Sequence, residues 1–416
     1  MRSLKINISW TLAGNLAFSA AQWLVIILIT KLLGITELGH YAYGLALVSP
    51  LFLFTNLSLR SIQSTDTHNK YSFTDFFVFR CFSLFIACTA CVLFIYFSNI
   101  ESKQSMVIAL LAVLKVSESL SEVYFGMFQK NERMDLISRS LITRSVLSIL
   151  FATLSLLFYK QVELAIASLI IAYTLVLVFH DSRLLGLVVR IQPSKLVNKF
   201  RSKFYVLLIT TLPLGVTVAV NVLYQSIPRF LIEQHHGASA LGVFAGVSYF
   251  IVIGSTVVNA IGQSSLPRLA RYIQQHNGPQ FISLLVRLIV LSGGIGLAGV
   301  FFAYLFADPF LAIVYSKDFI GQRQLFVVIM LMAAVVYISG ILGCALTAMQ
   351  QFKCQAYIST ICVVFLAALS IFYIPEYAAL GAAYCMVGAY FFKMFLEAVC
   401  VVYYYSNGGS FSMVNK

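Results

Sequence analysis

Charge is what this sequence has least of. Only 10% of its 416 residues are Asp, Glu, Lys or Arg, where soluble globular chains carry about 25%. That scarcity excludes separate soluble domains, and a 60% hydrophobic content with 35 Phe and 22 Tyr points to a lipid environment. Catalytic signatures are lacking too. No Walker loop, GxSxG or HExxH pattern occurs, so nucleotide hydrolysis, serine-hydrolase and zinc-protease chemistry have no motif to rest on. No enzyme activity and no cofactor are expected. The eight Cys form no framework. Cys88 and Cys91 make a CxxC inside an apolar run, and Cys344, Cys354, Cys362, Cys385 and Cys400 scatter in or beside other runs. They read as small apolar packers. His235-His236 is a weak metal signal, being adjacent residues in a loop, so no metal is expected. No signal peptide is expected either, because Met1–Ile8 is short and basic and the first apolar run has no small-residue cleavage site.

What is present is a succession of long apolar runs. Twelve reach spanning length, at about 10–30, 38–58, 76–98, 104–126, 140–159, 162–181, 204–224, 240–262, 281–305, 323–346, 356–374 and 379–404. Lys and Arg set the orientation. One set of loops holds Arg2, Lys5, Arg60, Lys70, Arg80, Lys130, Arg133, Arg139, Arg144, the run from Arg183 to Lys203, Arg268, Arg271, Lys353 and Lys416, which is 19 of the 28 cations. The opposite set holds Lys31, Lys103, Lys160, Arg229, Lys317 and Arg323. The positive-inside rule then places both termini in the cytoplasm. The net charge of +13 is thus a topology signal, and nucleic acid is excluded as a partner. The basic stretch Arg183–Lys203 divides six spans from six and suits contact with anionic lipid. The fold class expected is an all-α polytopic membrane protein of twelve transmembrane helices. Its parts are a six-helix lobe over 1–182, a linker over 183–203 and a second six-helix lobe over 204–416.

The halves look alike. A shift of 203 residues brings Gln22 onto Gln225, Gly34 onto Gly237, Leu38-Gly39 onto Leu241-Gly242, Ala42 onto Ala245 and Ser61 onto Ser264. Six is even, so both halves enter the membrane from one side and the repeat is parallel, as in two-lobed transporters with a midplane site.

Inside the spans, polar groups are the candidates for function. Met106–Met127 is long enough to cross a bilayer, yet it carries Lys115, Glu118 and Glu122, which share one helix face. Lys115 and Glu118 can pair with each other, which leaves Glu122 over, one turn from the inner end. Glu118 and Glu122 are the candidates for proton coupling. On the last span Lys393 and Glu397 have the spacing of a structural pair, and Arg287 has the place of a snorkelling residue. Asn15, Gln22, Asn56, Asn221, Gln225, Asn259 and Gln263 concentrate on spans one, two, seven and eight, where Pro50 and Pro213 also invite bends. A cavity shared by those four spans is expected. Lys31 and Arg229 flank its outer end, where interfacial anchoring is their simplest role.

Lys31-Leu-Leu-Gly34, Leu38-Gly39-His-Tyr41-Ala42, Pro50 and Asn56-Leu-Ser-Leu-Arg60 with Thr65-Asp66 resemble the opening of bacterial polysaccharide flippases. Gln129-Lys-Asn-Glu132-Arg133-Met134-Asp135, followed by Arg139 and Arg144, looks like their loop after span four. The resemblance is specific in residues 1–145 and general beyond. It implies a Wzx-type O-antigen or capsule repeat-unit flippase of the MOP superfamily, with a MATE-like two-lobe fold in the bacterial inner membrane. Its substrate would be undecaprenyl-diphosphate-linked glycan. Membrane lipids, a polysaccharide polymerase and glycosyltransferases are the implied partners. The family's cationic cavities would have Lys31, Arg60, Lys115 and Arg229 to draw on, with Lys115 offset by Glu118. Two other readings remain open. One is a MATE-type cation or drug exporter, which wants an unpaired acid in its cleft. The other is a scaffold for polysaccharide assembly.

Overall fold

The computed structural model describes residues 4–66, 71–98, 100–188 and 200–406, and the regular structure among them is entirely helical. In order these are α1 (Leu4–Leu33), α2 (Ile35–Asn56), α3 (Leu59–Thr65), α4 (Phe73–Phe97), α5 (Ser102–Lys130), α6 (Met134–Tyr159) and α7 (Val162–Val176). A π-helical turn (Leu177–Asp181) leads into α8 (Ser182–Val188), α9 (Phe200–Gln274) and α10 (Gly278–Val314). A 3-10 turn (Lys317–Phe319), α11 (Arg323–Ala348) and α12 (Phe352–Ser406) follow. Among the described residues, nine helical stretches are long and apolar enough to cross a membrane. α5 is not one of them, because its own charges lower its apolar share. Most of the basic stretch 183–203 lies outside the described residues.

The long helices are broken where the backbone leaves helical geometry. α9 turns at Gly237 (φ 77°, ψ 178°) and α12 at Ala378 (φ 51°, ψ −131°). The bend anticipated at Pro50 is not a break, since α2 runs through it. A proline removes one ladder bond, whereas a residue at positive φ redirects the chain. These positions also bear on the internal likeness of the halves. Gly34, ahead of α2, has φ 96° and ψ 176°, nearly the conformation of Gly237. Only glycine adopts that region without strain. Glu132 and Gln350 also both have positive φ, at 55° and 59°, each just after a helix end.

A Cβ added at Gly34 or Gly237 would meet nothing within 4 Å. Gly34→Ala and Gly237→Ala should therefore each destabilise through the backbone alone, by about 1–3 kcal/mol. Thermal unfolding of detergent-solubilised protein checks this. Gly186→Ala, at an equally open but helical glycine, should leave the midpoint unchanged or raised.

The chain divides into two compact units, 1–226 and 227–416. In the first, α5 is the central helix and packs against α2, α3, α4, α6 and α7. That arrangement lets an apolar environment accept its charges, because neighbouring helices bring partners. α1 lies along α6 at a close seam. A Cβ on Gly14 would come within 2.8 Å of the Ser138 Cα, and the Ser138 hydroxyl donates to the Trp10 carbonyl at 2.5 Å. Residues 204–215 of α9 also join this unit. Phe204 packs on Phe79 with ring centroids 4.8 Å apart, and Gly215 makes room for Leu57. At the turn into α6, Arg133 donates to Asp135 through Nε at 3.0 Å and Nη2 at 3.1 Å. These bonds hold the guanidinium above its usual pKa.

In the second unit α11 is the most enclosed stretch and lies between α10 and α12. Phe250 stacks among Phe310, Tyr315 and Phe326, and the Tyr315 hydroxyl donates to the Gly246 carbonyl at 2.7 Å.

Candidate functional site

The polar face of α5 is the spine of the candidate site, and helical spacing builds it. Lys115 and Glu118 are one turn apart, and Lys115 Nζ donates to Glu118 Oε2 at 2.6 Å. Glu122, one turn further on, is not left over as its spacing suggested. Arg60 of α3 donates to both its oxygens through Nη1, at 3.1 and 3.3 Å, and through Nε to Gln129 Oε1 at 2.9 Å. The guanidinium also lies over Phe125, 5.6 Å from the ring centroid. The backbone places Arg60 here through an abrupt turn between α2 and α3, where Leu57 and Ser58 are both left-handed, at φ 50° and 49°.

Two arginines that read as loop cations are instead interior. Arg144 of α6 has 1% of its side chain exposed, and it lies 3.6 Å from the fully buried Asp181. It donates to Ser121 Oγ at 2.6 Å and stacks over Tyr173 at 4.6 Å. Asp181 is delivered by the π-helical turn, which inserts a residue into the helix register and turns that side chain inward. Arg80 of α4 is 1% exposed and donates to Asn56. Mean hydropathy has no means of showing this, because a buried arginine and a loop arginine score alike. The available signal was serine. Ser117, Ser119 and Ser121 on α5 and Ser138, Ser140, Ser145 and Ser148 on α6 are all buried, and they mark a polar seam.

A cavity of about 200 Å³ opens beside this face. Thr11, Asn15 and Phe18 of α1 line it, with Arg60 of α3, Glu118, Glu122 and Phe125 of α5, and Met134 to Arg144 of α6. Of the residues singled out by sequence, it thus brings together Asn15, Arg60, Glu118 and Glu122, with Lys115 behind Glu118. Gln22 bonds to Tyr173 instead. Asn56 is taken up by Arg80, and Lys31 is exposed in the last turn of α1. Asn221, Gln225 and Asn259 are exposed on α9, and Arg229 is half-buried near Tyr249. None of these four lines the cavity. On α12, Glu397 is buried and accepts from Ser339 at 2.6 Å, and the charge of Lys393 acts on it. Among the described residues no cluster of His, Cys, Asp or Glu could hold a metal ion.

The cavity, at about 200 Å³, has room for several waters, and its charges are matched in pairs. Arg60 and Glu122 are about one-third exposed to it, so that pair can exchange partners with a solute. Arg144 reaches the cavity wall but is 1% exposed, Asp181 behind it is fully buried, and that pair holds the helices.

The described residues form a polytopic helical chain with charged side chains in its interior, and comparison places it more narrowly. Its fold matches the lipid II flippase MurJ in an inward closed conformation (TM-score 0.74, 12% identity, 97% of this chain and 90% of that one). It also matches a MATE transporter of Vibrio cholerae (TM-score 0.67, 14% identity, 97% and 96%). These likenesses give the fold alone. The polysaccharide biosynthesis protein family matches residues 4–273, and the chain belongs to that family. A relative from Staphylococcus aureus, the capsular polysaccharide biosynthesis protein CapF, is 25% identical over 400 residues, which cover 96% of this chain and 98% of its own.

Proposed function

We propose that this protein is a flippase for undecaprenyl-diphosphate-linked oligosaccharide, an O-antigen or capsule repeat unit. It carries the unit from the cytoplasmic to the periplasmic leaflet of the bacterial inner membrane by alternating access. The family match over residues 4–273 is the observation that carries this reading. The exchangeable Arg60–Glu122 pair at the cavity supports it, because a diphosphate needs a cation that can let go of its resting partner. The glycan itself cannot enter hydrocarbon unaided, so it must travel beside polar protein surface.

The proposal includes twelve spans in two halves of six, with both termini cytoplasmic. The nine apolar stretches support that count when the two long ones are divided at Gly237 and Ala378 and α5 is added. The like conformations of Gly34 and Gly237, 203 residues apart, support two halves over 1–182 and 204–416, joined through 183–203. Glu118 and Glu122 are the groups through which a proton would act. Contacts with a polymerase and with glycosyltransferases belong to the same proposal.

The test is complementation. A host lacking its own repeat-unit flippase should regain surface glycan when this chain is expressed. Lys115→Glu and Arg229→Glu should lower that glycan with the membrane level of protein unchanged. Full glycan in both would remove these two residues from the pathway. Drug resistance without glycan would favour an exporter, and silent cavity substitutions would favour a scaffold.

A further inference from the structure

α12 folds back on itself at Ala378, and its two arms run antiparallel. Tyr373 meets Gly381, Leu369 meets Gly388, and Phe365 stacks on Phe392 with ring centroids 5.1 Å apart. At the far end of this ladder Cys354 on one arm faces Cys400 on the other, with the two sulfurs 2.8 Å apart. Both are free thiols and both are half-buried. We propose that Cys354 and Cys400 are an oxidisable thiol pair, a redox modification site that closes to a disulfide and fastens the open ends of the α12 arms.

The sulfur contact puts the bond within reach. A disulfide needs a sulfur separation of about 2.05 Å, so the observed contact has to shorten by less than an ångström. The packed arms above hold the two groups in register, which gives the second thiol a high effective concentration. The oxidant is a peroxide. The thiolate of one cysteine of the pair attacks one peroxide oxygen, the O–O bond breaks, hydroxide leaves and a sulfenic acid remains. The thiolate of the other then attacks that sulfur, the S–O bond breaks and a second hydroxide leaves. With the two thiol protons, the products are one disulfide and two waters, and two electrons have passed from sulfur to peroxide. On the proposed topology this end of α12 faces the cytoplasm, where dithiol reductants return the pair to thiols. The bond is therefore transient and marks oxidative conditions. The inference does not depend on the substrate.

The full-length protein in membranes is treated with hydrogen peroxide, denatured and labelled with a maleimide polymer that adds mass at each free thiol. The oxidised wild type should take up two labels fewer than the untreated protein, and dithiothreitol should restore both. Peptide mapping should find Cys354 joined to Cys400. Cys354→Ser and Cys400→Ser should each lose no pair of labels on the same treatment. Detergent-solubilised wild type should melt at a higher temperature after oxidation, and the double serine variant should not. Unchanged labelling of the wild type, a cross-link between two copies, or a bridge to a different cysteine would each overturn the proposal.

Discussion

Arg144→Ala should destabilise the first unit by about 3–5 kcal/mol, because it strips the cation from a buried carboxylate. Asp181 has no exposed surface, and Arg144 lies 3.6 Å from it. Once Arg144 is gone, His180 Nδ1 remains beside Asp181, at 3.1 Å. The loss has a second source in packing, since the guanidinium fills the space over the Tyr173 ring at 4.6 Å and the Phe125 ring at 5.8 Å. Arg144→Lys should retain only part of the stability. An ammonium keeps the charge but lacks the planar fork that reaches Ser121 and stacks on the rings together. Arg144→Ala combined with Asp181→Asn should recover a share of the loss, because no uncompensated charge remains. The measurement is unfolding in detergent together with the amount of folded protein in the membrane. An Arg144→Ala variant within about 0.5 kcal/mol of the wild type would show that the pair holds nothing together.

Arg60→Glu should have the opposite signature, with transport lost and stability nearly kept. The Arg60 and Glu122 side chains are 33% and 31% exposed. A pair so open to solvent contributes only about 0–1 kcal/mol to folding. Its position at the cavity gives it leverage on the substrate instead. A reversed charge there would repel a diphosphate, and surface glycan should fall at least about tenfold, equivalent to ~1.4 kcal/mol of lost interaction. Glu122→Gln should act differently. It removes the resting partner of Arg60 but keeps the shape of the side chain, so it should leave folding intact and change the dependence of export on pH. Surface glycan and protein level are read side by side for each variant. Wild-type glycan in Arg60→Glu would remove the cavity from the transport path and leave the family assignment standing.

The exterior and the class of this protein are legible residue by residue. Long apolar runs specify helices in lipid, because no other open-ended structure satisfies its backbone there. Lys115 and Glu118 pair as their spacing requires, since a turn of helix fixes which side chains meet. Gly34 and Gly237, aligned by a shift of 203 residues, share a conformation that glycine alone tolerates. α5 also needed neighbours on its charged face, and it has them on several sides.

The partners of the remaining charges came from elsewhere. Glu122 is met by Arg60 from 62 residues away, and Arg144 by Ser121 and Asp181 from two other elements. Cys354 finds Cys400 only because α12 reverses at Ala378. The sequence by itself determined which segments are helical and which of their faces are polar, because those properties repeat within a few residues along one helix. Only the tertiary structure decided which polar face meets which. That choice rests on how helices distant in the chain pack together, through close approaches such as Gly14 on Ser138 and a single π-helical turn at Asp181.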